Sequence, residues 1–271
     1  MKLIALDVDG TLLNSDHKIS PKTRDCLIKA LEEGHKVVIV SGRPTEAIKG
    51  LAAELQFDKH GGLISAFNGG SITNYETGKK ITNHTLDLKL AKEILRETKD
   101  LDLEIIIPNE GKIISDKEGK YLGVERDLLG LDTIVDENIR DAIDFPPNKL
   151  LFANDPEILD KIIPVLEEKY GGKTSLIRTQ RFYYEIMPQN LSKGKSLLEI
   201  ADYYGIDQKD IIAFGDELND ETMLEVAGVG VAMANAVDHI KEIADYITLS
   251  NDEDGIADYL EKFVLKGDSN E

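Results

Sequence analysis

Cysteine is almost absent from this sequence. Cys26 stands alone in 271 residues, so no internal disulfide can form and the chain fits a reducing, cytoplasmic setting. It sits beside Leu27 on a stretch that reads as an amphipathic helix, which suits a small buried side chain rather than redox or nucleophilic work. Basic residues are scarce too: 32 Lys and Arg stand against 51 Asp and Glu, a net charge of −19. That balance repels polyanions and argues against nucleic acid or an acidic membrane as the main partner. A small anionic substrate would need its charge met locally. Long apolar runs are also missing. No segment reaches the roughly 20 residues of a bilayer span, and Asp7 and Asp9 interrupt the run Leu3–Leu6 before it attains signal-peptide length. There is no internal repeat and no low-complexity linker; only the polar end Lys266–Glu271 reads as fraying.

What is present is a foldable chain, 41% hydrophobic and 31% charged, long enough for two domains. Leu3–Leu6 and Val37–Val40 are continuous apolar runs ending in polar turns, the pattern of buried parallel strands. Between them Ser20-Pro21 supplies a helix start and Gly34 a stop, and Thr45 to Leu55 reads as a second helix. The βα rhythm predicts a parallel sheet covered on both faces. The middle of the chain is of mixed α+β character: a hairpin at Asn68-Gly69, a helix from about Leu86 to Thr98, strands at 105–107, 113–114, 149–152 and 183–186, and a helix opening at Asp155-Pro156. After Pro188 the βα rhythm returns, with a helix over 193–204, a strand over 211–214, and shorter strands near 229–232 and 246–249. The fold class expected is α/β: a Rossmann-like parallel-sheet core with helices on both faces, 1–83 and 189–271, plus an inserted α/β cap domain, 84–188.

In open parallel sheets, ligands sit beyond the carboxyl ends of the strands, so the polar residues there are the ones to collect. Four clusters qualify: Asp7-Val8-Asp9-Gly10-Thr11, Ser41-Gly42-Arg43, Lys193-Gly194, and Gly215-Asp216 with Asn219-Asp220. Any one alone is an ordinary turn or cap. Together and in this order, the stretches DVDGTLL, VSGRP, LSKG and AFGDELND resemble the haloacid-dehalogenase-like hydrolase superfamily, and within it the Cof-type sugar-phosphate phosphatases. FNGG at 67–70, EIMP at 185–188 and GVGVAMANA at 228–236 extend the resemblance nearly end to end. It implies magnesium-dependent hydrolysis of small phosphomonoesters, with a cap that selects the leaving group; with the acidic charge balance no nucleic-acid or membrane partner is expected, and the chain is expected to be a monomer or homodimer.

The residue chemistry fits that implication. A phosphate monoester is anionic and repels any attacking carboxylate, so a cation must lie between them. Asp7 and Asp216 would each offer a carboxylate oxygen and Asp9 its backbone carbonyl, an all-oxygen set suited to Mg2+. Asp7 would attack phosphorus and form an aspartyl phosphate that water later hydrolyses. Asp9 would protonate the leaving alcohol and then take a proton from water. The family's dehalogenases lack this second Asp, so its presence favours phosphate chemistry. Gly10 permits a sharp turn, and Thr11 is expected to hydrogen-bond near Asp9 and orient it. Ser41 and the Gly42 amide can donate to the phosphoryl oxygens, with Lys193 as fixed charge and Asn219 as neutral donor. Val8 and Thr11 are placed with the substrate-binding residues. Asp220 is assigned one layer back from the metal, holding Lys193 or a metal-bound water. Arg43 can pair with substrate or with an acidic neighbour, and Asn68 can face the leaving group or simply make a turn. Glu217 reads as solvated.

Other readings fail on single positions. A phosphate-binding P-loop ending in Gly194-Lys195-Ser196 would need glycine where Gln189 stands. A calcium loop beginning at Asp7 would need glutamate where Lys18 stands. A dinucleotide fingerprint at Gly228-Val229-Gly230 would need a third glycine where Met233 stands. Two alternatives survive: a phosphomannomutase-like phosphosugar mutase, and a non-catalytic phospho-ligand sensor on the same fold.

Overall fold

In the computed structural model, which describes residues 1–265, the two apolar runs form β1 (Leu3–Leu6) and β2 (Lys36–Val40). The end expected to fray, Lys266–Glu271, lies outside the described residues. Three further strands follow before the insertion: β3 (Leu63–Ala66), β4 (Ser71–Asn74) and β5 (Lys80–Asn83). The insertion contributes β6 (Glu104–Asn109), β7 (Lys112–Ser115), β8 (Asp132–Val135), β9 (Leu150–Ala153), β10 (Ser175–Gln180) and β11 (Tyr183–Met187). The chain then closes with β12 (Ile211–Gly215), β13 (Val229–Ala232) and β14 (Tyr246–Ile247).

Two compact units result: Met1–Thr82 with the chain from Ser192 onward, and Asn83–Leu191. In the first, an eight-stranded sheet runs β14-β13-β12-β1-β2-β3-β4-β5. Its central strands are parallel, with Leu6 opposite Phe214 on one side and Ile39 on the other. Alternate residues of these strands enter two separate cores. Ile4, Leu6, Val37, Ile39 and Phe214 pack with Leu27, Ile48 and Leu260, while Leu3, Ala5, Val38, Val40 and Ala213 pack with Leu197, Ile200 and Met223. Because both faces are covered, the strands read as unbroken apolar runs rather than as alternations. Chain order reverses at β1, which has β2 on one side and β12 on the other, and that switch point is where ligands collect in such sheets.

The second unit holds a six-stranded sheet, β10-β11-β9-β6-β7-β8. Its strands are antiparallel except for β7 with β8. The helices Leu88–Glu97 and Pro156–Tyr170 pack on it through Ile94, Leu95, Leu159 and Leu166 against Ile105, Ile107, Leu150 and Phe152. Among the described residues no helix is long and apolar enough to cross a membrane.

Cys26 takes the place expected of it, on the inner side of helix Pro21–Glu32. Burial pushes its thiol up to about 11, and Glu261, whose carboxylate lies 3.5 Å from Sγ, adds to the shift. Thiolate is therefore rare at pH 8. The native protein should react with a soluble aromatic disulfide at least ~100-fold more slowly than the urea-unfolded chain. Equal rates would show that Cys26 is neither buried nor raised.

Candidate active site

The site is set by register. Asp7 follows the last residue of β1, and its amide donates to Phe214 O at 3.1 Å, which levels it with the end of β12. Asp216 follows the last residue of β12. Ser41 follows the last residue of β2 and is anchored by its amide to Ser65 O on β3 at 2.9 Å. Lys193 arrives from another direction, as the first residue of helix Lys193–Tyr204, capped by the Ser192 side chain. Gly194 lets this helix settle on its neighbour, since a Cβ there would meet Thr222 O at 2.2 Å.

Four of the predicted residues meet in a buried cluster. Lys193 Nζ donates to Asp7 Oδ1 at 2.5 Å and to Asp220 Oδ1 at 2.6 Å, and its side chain has no solvent exposure. The carboxylates of Asp7, Asp216 and Asp220 have oxygens within 4.8 Å of one another, so they could hold a metal ion. Desolvation by burial pushes Asp7 well above the usual carboxylate range, reinforced by Asp220, while Lys193 pulls it down. Asp216 is pushed up to about 7, again by burial first, with Asp220 and Glu217 adding and the hydrogen bond from Thr11 subtracting. For Lys193, burial alone would favour the neutral amine, but Asp220 and Asp7 outweigh it and hold the pKa above its ordinary value.

Both oxygens of Asp220 are already engaged by the protein. Oδ1 accepts from Lys193, and Oδ2 accepts from the amides of Asp216 and Glu217 at 2.9 and 3.0 Å. The geometry therefore makes it a clamp on the Asp216 loop and on Lys193. Gly215 leaves room for this, because a Cβ there would lie 2.5 Å from that of Asp220.

Several expectations need amending. Thr11 does not orient Asp9: its hydroxyl donates to Asp216 Oδ1 at 2.6 Å, because Gly10, at φ +79°, turns the chain toward β12. Val8 has a wholly buried side chain in the core, so only its backbone is available to a ligand. Asp9 points outward and is gripped through both oxygens by Arg43, with Nε at 2.9 Å from Oδ2 and Nη2 on Oδ1. Arg43 thus has an acidic partner here. Ser41 does not cap the helix that follows Pro44; its Oγ accepts from the Arg43 amide at 3.1 Å, leaving its own hydrogen to donate.

Asn68 lies in the hairpin between β3 and β4, in left-handed backbone between Phe67 and Gly69, which are left-handed as well. The amides of Phe67 and Asn68 donate to the carbonyls of Arg43 and Ser41, so the hairpin is joined to the Ser41-Gly42-Arg43 turn. Asn68 Oδ1 accepts from Asn219 Nδ2 at 3.2 Å, and a Cβ on Gly42 would lie 3.2 Å from its amide. Glu217 is exposed, as expected. One residue received no role: Asn235, whose side chain donates to Gly10 O at 2.8 Å. The strand-end rule could have collected it, since β13 ends three residues earlier.

Comparison with known proteins gives the family. Residues 4–260 match the family of haloacid dehalogenase-like hydrolases. The chain is 32% identical to 5-amino-6-(5-phospho-D-ribitylamino)uracil phosphatase YwtE of Bacillus subtilis, over 97% of this chain and 98% of that one. It is 31% identical to phosphatase YwpJ of the same organism, over 95% and 98%. Among solved structures, a haloacid dehalogenase-like hydrolase from Bacteroides thetaiotaomicron superposes with a TM-score of 0.92 at 34% identity, covering 96% of this chain and 98% of the other. With buried carboxylates and a lysine gathered at the ends of β1 and β12, and a match that spans both units, the chain belongs to the haloacid dehalogenase-like hydrolase family.

Proposed function

We propose that this hydrolase is a magnesium-dependent phosphomonoesterase that works through an aspartyl phosphate on Asp7, with sugar phosphates and related polyol phosphates as its substrates. One observation carries the reading: three buried carboxylates, Asp7, Asp216 and Asp220, are gathered together, and the ammonium of Lys193 pairs with only two of them, Asp7 and Asp220. Burying that excess of negative charge is costly unless a cation joins it. The donor set fits magnesium, being all oxygen: one carboxylate oxygen each from Asp7 and Asp216, and the Asp9 carbonyl. When bound, the metal draws charge from the phosphoryl group and lessens its repulsion of Asp7.

The rest falls to the chain itself. Asp7 attacks phosphorus as the bond to the leaving oxygen breaks, and Asp9 gives that oxygen a proton. Water then attacks the phosphorus of the acyl phosphate and gives a proton to Asp9, the Asp7 oxygen–phosphorus bond breaks, and inorganic phosphate and the Asp7 carboxylate are released. Lys193 and the Ser41 hydroxyl meet the charge that spreads over the phosphoryl oxygens. Asp220 holds Lys193 in place. The Arg43 grip on Asp9 must open for Asp9 to reach a leaving group. The substrate class is supported by YwtE, named for a phosphate ester on a ribityl arm.

The test is phosphate release from a panel of sugar phosphates, polyol phosphates and nucleotides, with magnesium or with chelator, for wild type and Asp7→Asn. Chelator and substitution should each reduce release to background. An active Asp7→Asn enzyme, or activity that survives chelation, would overturn the mechanism. Appearance of an isomeric sugar phosphate instead of free phosphate would favour a mutase, and equal hydrolysis of every compound would remove the sugar-phosphate preference.

A further inference from the structure

The loop that carries Asp9 and Thr11 leaves β1 and turns at Gly10. Its own peptide bonds hold it partly: Leu12 N donates to Asp7 O at 3.2 Å and Leu13 N to Val8 O at 2.9 Å. These two bonds close the loop on itself; its distance from β12 is held at two points, Asp7 N on Phe214 O at 3.1 Å and the Thr11 hydroxyl on Asp216 Oδ1 at 2.6 Å, and the turn at Gly10 between them is held by neither. That distance matters, because Asp7 and Asp216 belong to different strands and must face one group between them.

The segment after β13 spans the gap. Met233 N donates to Gly215 O at 3.1 Å and Val237 N to Asp216 O at 3.0 Å, which ties the segment to the end of β12. From its middle, Asn235 Nδ2 reaches across to Gly10 O at 2.8 Å. Asn235 is itself oriented, since its Oδ1 accepts from Asn251 N at 3.0 Å, and the Asn251 side chain donates to Leu13 O at 2.8 Å. One carboxamide thus holds the turn and a second holds the end of the same loop. Asn235 takes its position from backbone bonded to the Asp216 side of the site, and Asn251 is joined to that side through Asn235 Oδ1.

We infer that Asn235, supported by Asn251, is a positioning residue that sets the Asp7–Thr11 loop against the Asp216 loop. It lies on the exposed side of the protein, outside both hydrophobic cores, and touches none of the carboxylates. Its role is orientation rather than chemistry. The inference rests on the reading of Asp7 as the nucleophile. A misplacement of about 1 Å between groups that must act together can cost ~100-fold in rate, so the loss of one brace should fall on turnover more than on substrate affinity.

The test uses the full chain and three variants, Asn235→Ala, Asn235→Asp and Asn251→Ala. Asn235→Asp keeps the acceptor for Asn251 N but sets an oxygen against Gly10 O, so it should be no better than alanine. We expect kcat for p-nitrophenyl phosphate to fall about tenfold or more in both Asn235 variants, with KM within about twofold and an unchanged melting midpoint. In the magnesium-free protein, the amides of Leu12 and Leu13 should exchange hydrogen about tenfold faster. Wild-type exchange at these amides, or kcat within twofold of wild type, would overturn the inference. If Asp7→Asn remained active, the nucleophile assignment would fail instead, while the exchange result would still decide whether the brace exists.

Discussion

Replacing Lys193 with methionine should lower kcat by ~100- to 1,000-fold and lower the melting midpoint of the metal-free protein by roughly 10 °C. The first effect follows from removing a fixed charge aimed at the phosphoryl oxygens. The second follows from burial. Lys193 has no exposed side-chain surface, and it is the ammonium shared by Asp7 and Asp220, whose side chains are 8% and 0% exposed. Removing one partner of a buried charge set typically costs about 3–5 kcal/mol, and each kcal/mol is worth about 2–4 °C in a protein of this size. Methionine preserves the volume, so packing loss is a minor part.

The pH dependence gives a sign to check. The folded Asp216 carboxyl titrates at about 7, above its ordinary 3.8, so the folded state holds a proton that the unfolded state has released. Stability of the metal-free enzyme therefore falls as pH rises from about 4 to about 7 through this group, and levels off above that. A melting midpoint that rose across this window, or a Lys193→Met protein as stable as wild type at pH 8, would contradict the buried charge cluster.

Gly10→Ala is the second substitution expected to be severe. A Cβ at this position would lie 2.2 Å from Asp216 Oδ2, and the backbone stands at φ +79°. Alanine in left-handed backbone costs about 1–2 kcal/mol, and forcing a methyl into occupied space adds a comparable amount. A stability loss of about 2–4 kcal/mol is expected. Asp216 must also move, since it is the obstacle, and with it one of the two carboxylates that face Asp7. Activity should fall by ~100-fold or more. Gly34→Ala is the control. Gly34 has φ +87°, but nothing lies within 4 Å of its would-be Cβ, so that variant should lose only the backbone cost and keep full activity. If the two variants behaved alike, the clash with Asp216 would not be the cause.

The parts of the fold that could be read from sequence are those whose environment is uniform. β1, β2 and β12 lie in the parallel sheet with both faces covered, and their apolar runs predict them almost to the residue. The helix Lys193–Tyr204 has a serine cap and a glycine stop, and both are legible. The insertion was read less fully. β8 lies at a sheet edge and is mostly exposed, as is much of β10, so neither shows a clean period of two. Helix Lys120–Leu129 has Gly123 within it and no side-chain cap at its start, which removes the usual punctuation. At the site, the residue types and their order could be read, but not their partners. The bond from Thr11 to Asp216 joins positions 205 apart in the chain, and only the register of β1 on β12 brings them together. Arg43 on Asp9 likewise needs β2 beside β1, and Asn219 on Asn68 needs the ends of β12 and β3 on the same edge of the sheet.

Asp9 differs from the rest of the site in one respect. Its side chain is 54% exposed, whereas those of Asp7, Asp220 and Lys193 lie below the surface. In the proposed cycle, Asp9 is the one group that changes its protonation twice per turnover. The water that attacks in the second step restores the proton given up in the first, so an exposed side chain, once Arg43 releases it, needs no chain of internal donors.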